Sequence, residues 1–230
     1  MKTLGIIGGM SWESTVLYYQ WINRGIKDRL GGLHSARLLL NSVDFAEIET
    51  LQHAGDWEGA GRIMNQAACA LEAGGCDLLL IATNTMHKVA EQTMIDISLP
   101  LLHIVDPTAE AIKARGFNRV GLLGTGFTMS DDFYRGRMTD VFEVDVLTPD
   151  ADEQRNVHQI IYEELCLGII NGASKARYLE IVDALAGRGA EAVILGCTEI
   201  TLLIGQNDTE VPLFDTTAIH ASAAVDAMLR

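Results

Sequence analysis

Two polar segments stand out because each closes an apolar run. Thr83–Asn84–Thr85–Met86–His87 follows Leu78–Ala82, and Cys197–Thr198–Glu199 follows Ala192–Gly196. A strand continuing through a core would stay apolar, so hydroxyl, amide, thiol and carboxylate groups at such ends point to a small-molecule site. A free cysteine is most often a small buried hydrophobe. Cys69, Cys76 and Cys166 fit that description: two lie in or just after the helix starting near Trp57, and one in a later helix. Cys197 differs because its neighbours mirror the Thr-Asn-Thr turn. A third segment, Gly8–Gly9–Met10–Ser11, joins an apolar run to a helical pattern, with Thr125–Gly126–Phe127–Thr128 in the equivalent place later. Glycines let backbone N–H groups approach a ligand, and a helix start favours an anion. Neither turn fits G-x-G-x-x-G or a P-loop, so nucleotide binding has little support. His87 reads either as a residue that orients a nearby group or as a satisfied surface histidine. His34, His53, His103, His158 and His220 show no metal-ligand spacing. Arg135 and Arg137 could grip a carboxylate, but read first as a solvated helix face.

The elements that must position these groups are short strands alternating with helices. Apolar runs at Leu4–Ile7, Leu38–Val43, Leu78–Ala82, Leu101–Val105, Val120–Leu123, Val144–Leu147, Ala192–Leu195 and Val211–Phe214 predict eight strands. From Trp57 the apolar positions Ala60, Ile63, Met64, Ala67 and Leu71 keep helical spacing, as do Val157, Ile160, Ile161 and Leu165. Ser130, followed by Asp131 and Asp132, predicts a helix N-cap. Gly187 and Gly189 mark the end of a helix around Ala176–Ala186. The alternation predicts an α/β fold with parallel, Rossmann-like sheets.

An internal duplication organises these elements. Gly5–Ile6–Ile7–Gly8 recurs as Gly121–Leu122–Leu123–Gly124, Leu80–Thr85 as Ile194–Glu199, and Leu99–Leu102 as Val211–Phe214, in order and 112 to 116 residues apart. Two similar α/β half-domains are expected: 1–105 and 106–216, with a C-terminal helix at 217–230 returning to the first. Ligands bind beyond the carboxyl ends of strands in such folds, which would set Thr83 and Cys197 on facing walls of one cleft.

Composition bounds the function. With 17 Lys and Arg against 31 Asp and Glu, the net charge of −14 disfavours nucleic acid and anionic membranes as partners. An acidic chain can still hold an anion in a local site. No apolar run approaches the length of a membrane span, and the N-terminal run lacks a signal-peptide pattern. No C-x-x-C pair occurs, so reduced thiols in a cytoplasmic protein are expected.

The segments Gly8–Gly9–Met10–Ser11–Trp12–Glu13–Ser14, Thr83–Asn84–Thr85–Met86–His87 and Gly196–Cys197–Thr198–Glu199 resemble the signatures of the aspartate/glutamate racemase family, in its aspartate racemase branch. The resemblance covers essentially the whole chain. It implies a cofactor-independent amino-acid racemase, a homodimer, in which two thiols flank the substrate Cα, one removing the α-proton and the other returning one to the opposite face. By motif, Met10, Gln52, Thr83, Asn84, Thr85, Thr198 and Glu199 would line the site of an acidic amino acid, with Thr83 and Cys197 catalytic. Each thiol in such a pair needs a pKa near neutrality. The carbanion needs fixed donors, for which backbone N–H groups near Thr85 and Thr198 and the Asn84 side chain are candidates.

The chain departs from the pattern twice. The first cysteine is replaced by Thr83, a far weaker acid and base, which makes the two directions unequal; the resemblance implies the handedness, a bias toward L-substrate with Cys197 removing the proton. Many family members also carry a lysine before the loop near Gly168. Here Glu163–Glu164–Leu165–Cys166–Leu167–Gly168 has none, which leaves aspartate against glutamate open. Thr83 is also compatible with a single-cysteine decarboxylase or a cis-diacid isomerase of the same superfamily, or with a non-catalytic amino-acid-binding protein. A cysteine hydrolase fits less well, because no histidine is placed by the motif as its base, and a structural protein would explain neither duplication nor polar strand ends.

Overall fold

The computed structural model describes residues 1–230. The chain divides into two compact units, the first made of Met1–Ile104 and His220–Arg230, the second of Val105–Ile219. The first unit holds β1 (Leu4–Gly8), α1 (Trp12–Leu30), β2 (Leu38–Ser42), α2 (Phe45–Ala54), α3 (Trp57–Ala73), β3 (Leu78–Ile81), a 3₁₀ turn at Thr85–Val89, α4 (Ala90–Thr93) and β4 (Leu101–Leu102). The second holds α5 (Val105–Ala114), β5 (Arg119–Gly124), α6 (Gly126–Ser130), α7 (Asp132–Phe142), β6 (Asp145–Leu147), α8 (Ala151–Glu163), a 3₁₀ turn at Leu165–Leu167, α9 (Gly172–Gly187), β7 (Ala192–Gly196), α10 (Ile200–Leu203) and β8 (Leu213–Asp215). The last helix, α11 (Thr216–Leu229), starts in the second unit and continues in the first.

Each unit carries one parallel four-stranded sheet, ordered β2-β1-β3-β4 and β6-β5-β7-β8. Both orders are second-first-third-fourth within their unit, so the duplicated segments correspond to a duplicated topology. In the first unit the central strands β1 and β3 are apolar and buried on both faces because helices cover both. Leu4, Ile6, Leu78 and Leu80 face Tyr18, Ile22 and Ile26 of α1 and Ala221 and Val225 of α11. Ile7, Leu79 and Ile81 face Met64, Ala67 and Leu71 of α3. In the second unit Leu123, Val193 and Leu195 pack with Val157 and Ile161 of α8 and Tyr178, Ile181 and Leu185 of α9.

All eight expected strands form, with differences at their edges. Val105, expected to end a strand, instead opens α5. Pro107 falls in that helix's first turn, where its missing N–H costs no helical bond. Ser130 closes α6 rather than capping α7, whose N-cap position is Asp131. Cys166 lies in the 3₁₀ turn after α8 rather than within a helix.

Candidate active site

In each unit the strand order reverses between the first and third strands, and the space beyond the carboxyl ends at such a reversal is where ligands bind in open α/β sheets. At that point in the first unit stand the turn after β1 and the segment after β3. The turn is locked by Thr15: its Oγ1 accepts from the Gly9 N–H at 2.8 Å and donates to the Ser11 carbonyl at 2.9 Å. Ser11 caps α1 by accepting from the Ser14 N–H. Gly9 has φ +94°, and a Cβ there would sit 2.2 Å from the Val43 carbonyl oxygen, so only glycine fits. Met10 packs into the core with Ile7, Met64 and Met86.

After β3, Thr83 is half-buried while Asn84, Thr85, Met86 and His87 are buried. Gln52, buried on α2, donates from Nε2 to the Met86 Sδ at 3.1 Å, which ties α2 to this segment. His87 is not a surface histidine. Its Nδ1 lies 2.8 Å from the Thr83 carbonyl oxygen, and its Nε2 accepts from the Ile104 N–H at 3.2 Å.

In the second unit the corresponding place holds the turn after β5 and the segment after β7. Gly124 and Gly196 are paired, and a Cβ on Gly196 would lie 2.9 Å from the Leu123 carbonyl oxygen, so the strands approach through their glycines. Thr125 caps α6, its Oγ1 accepting from the Thr128 N–H at 3.3 Å. Cys197, Thr198 and Glu199 are all buried. The Cys197 thiol donates to Glu199 Oε2 at 3.0 Å, and the Thr198 hydroxyl donates to the same oxygen at 2.7 Å. Burial, then the Glu199 carboxylate and the nearby Cys166, push the Cys197 thiol well above its ordinary value. Without substrate, desolvation and a like charge both disfavour the thiolate.

A family model described as Asp/Glu/Hydantoin racemase matches residues 7–224. The chain belongs to this racemase family. A Yersinia pestis protein assigned to the Asp/Glu racemases shares 53% identity over 100% of both chains, with a TM-score of 0.94. An aspartate racemase homologue from Pyrococcus horikoshii OT3 shares 35% identity, again over 100% of both chains, with a TM-score of 0.84. The broad specificity amino-acid racemase RacX of Bacillus subtilis (strain 168) is 24% identical over 169 residues, covering 70% of this chain and 69% of its own. The protein is an isomerase of the pyridoxal-phosphate-independent amino-acid racemase class, and its two parallel four-stranded sheets match the family's fold of two similar domains. No helix of this racemase is long and apolar enough to cross a membrane.

Of the racemase residues expected from sequence, the first unit gathers Met10, Gln52, Thr83, Asn84 and Thr85 around β1 and β3, and the second gathers Cys197, Thr198 and Glu199 after β7. Arg137 is not merely solvated: its Nε and Nη2 bind both oxygens of Asp106 at 2.5 and 2.8 Å. Two positioning residues were missed. Thr15 holds the first turn, and Thr216 donates to the Leu195 carbonyl at 2.9 Å beside Cys197. Thr216 follows an apolar run, as the recognised polar segments do, so the same signal applied to β8 would have found it.

Proposed function

We propose that this protein racemises aspartate and glutamate with a bias toward the L-enantiomers, Cys197 removing the α-proton and Thr83 serving the opposite face of Cα. The supporting observation is that Cys197 and Thr83 lie just past the carboxyl end of the third strand in two sheets with one topology. Equivalent strand ends thus carry a thiol in one unit and a hydroxyl in the other.

The chemistry follows from the groups present. The Cα–H bond breaks, its proton passes to Cys197 as thiolate, and the electron pair moves into the carboxylate-stabilised carbanion. A new Cα–H bond then forms with a proton from Thr83 or from a water that it orients. Cys197 must first lose its own proton, and the Glu199 carboxylate that already accepts its S–H is the acceptor at hand. A substrate ammonium group drawn to Glu199 would offset the negative charge that holds the thiol up. Met10, Gln52, Asn84, Thr85 and Thr198 complete the substrate site in this reading. We also propose a homodimer, supported by Trp12, Val16 and Tyr19, which lie exposed along one face of α1.

The test is proton NMR in D₂O with L-Asp, D-Asp, L-Glu and D-Glu in separate samples, with chiral analysis of each. Loss of the α-proton signal from the L-forms, with D-product appearing, is expected. Equal initial rates from both enantiomers would sink the asymmetry, and no exchange in any sample would sink the racemase assignment of these residues.

A further inference from the structure

His87 takes its proton placement from the backbone around it. The Ile104 N–H points at Nε2 at 3.2 Å, so Nε2 is an acceptor and carries no hydrogen. The ring proton therefore sits on Nδ1, which donates to the Thr83 carbonyl at 2.8 Å. Burial, with His103 and His220 close by, holds the ring neutral, its pKa well below the usual histidine value. His103 stands edge-on with ring centroids 4.4 Å apart. His220 is fixed at the same strand exit: its Nε2 donates to the Leu102 carbonyl at 2.9 Å, and its Nδ1 accepts from the Tyr18 hydroxyl at 2.9 Å. The end of β4, only two residues long, is thus held by two imidazoles rather than by a long ladder.

The other end of the His87 clamp is the Thr83–Asn84 peptide. Thr83 lies past the last residue of β3, outside the ladder that would otherwise fix its backbone. A trans peptide is planar, so holding the Thr83 carbonyl also sets the Asn84 N–H in the opposite direction and limits the rotation that carries the Thr83 side chain.

Resting on the function proposed above, we infer that His87 is a positioning residue for the second half of the reaction: in its Nδ1–H form it ties the Thr83 carbonyl to the Ile104 backbone, and so fixes the hydroxyl that serves the second face of Cα. Proton removal by Cys197 does not depend on this clamp. Loss of the clamp therefore lowers inversion more than exchange.

The test is the ratio of inversion to α-proton exchange from L-aspartate in D₂O, which is independent of the fraction of folded enzyme. Asparagine carries its amide at the level of Nδ1 and can keep the bond to Thr83, whereas glutamine reaches the level of Nε2 and loses it. His87→Gln should lower the ratio by about tenfold or more, and His87→Asn should restore most of it. A ratio unchanged in His87→Gln, or lowered equally in both variants, overturns the inference. If the unsubstituted enzyme neither exchanges nor inverts, the proposed function falls first and takes the inference with it. Should the variants fail to fold, long-range proton–nitrogen correlations on the unsubstituted protein decide: a protonated Nδ1 with a bare Nε2 supports the clamp, and the opposite tautomer removes it.

Discussion

In the proposed reaction Cys197 must lose its own proton before it can take one, and the carboxylate bonded to it is also part of what raises its pKa. These two roles of Glu199 separate in Glu199→Gln. Removing the charge should move the midpoint of Cys197 alkylation to lower pH, followed by peptide mass spectrometry so that exposed Cys69 is counted apart. Turnover from L-aspartate should nevertheless fall, by about 10²–10⁴, because the proton acceptor is gone. A midpoint that moves upward would show that Glu199 does not govern the thiol. At the mirrored strand end, Thr83→Cys should raise the initial rate from D-aspartate by about 10² or more, since a thiol is the stronger acid and yields the better-populated base. No gain would mean that Thr83 does not occupy the position of a second base.

The elements around these residues bring their own constraints. Gly9→Ala would place a methyl group against the Val43 backbone at a positive φ, so a loss of about 1–3 kcal/mol or more is expected in urea unfolding. Activity should fall as well, because the same turn bears Met10. His87 should contribute to an acid limit. Its folded pKa lies well below 6.5, so below pH 6.5 the unfolded chain binds a proton that the folded chain refuses. Stability is unaffected by this group above pH 6.5 and drops as the pH falls, at a slope approaching about 1.4 kcal/mol per pH unit for one full proton. His87→Asn should flatten that slope between pH 6.5 and 5, and an unchanged slope would mean that another group sets the acid limit. Much of this level was legible beforehand. Apolar runs bounded by turns located the strands, and polar residues at their ends located Thr83 and Cys197. Helix boundaries at Val105 and Ser130 were not, because proline tolerance in a first turn and the choice between adjacent caps depend on neighbours far in sequence. Nor was the burial of His87, since nothing local in Thr-Asn-Thr-Met-His shows that the Ile104 amide returns to the ring from the next strand. The pairing of Cys197 with Glu199 was half visible: the residues were identified, but the raised thiol follows from burial that one chain's letters do not print.

For the molecule as a whole, the repeated second-first-third-fourth strand order is the strongest sign that two copies of one plan were kept. The proposed homodimer belongs at this scale too. Trp12→Glu with Tyr19→Glu should shift sedimentation equilibrium toward monomer, with little effect on the fold, because both side chains are exposed. An unchanged mass would remove α1 from the interface.

The division into units also sets an order of completion during synthesis. The second unit is one unbroken stretch, finished when Ile219 is made, whereas the first needs His220–Arg230 to close. Tyr18, Ile22 and Ile26 leave the ribosome long before their partners Ala221, Val225 and Met228. The unit begun first is therefore the one completed last, and until then the part of the α1 surface that α11 covers lacks its partner.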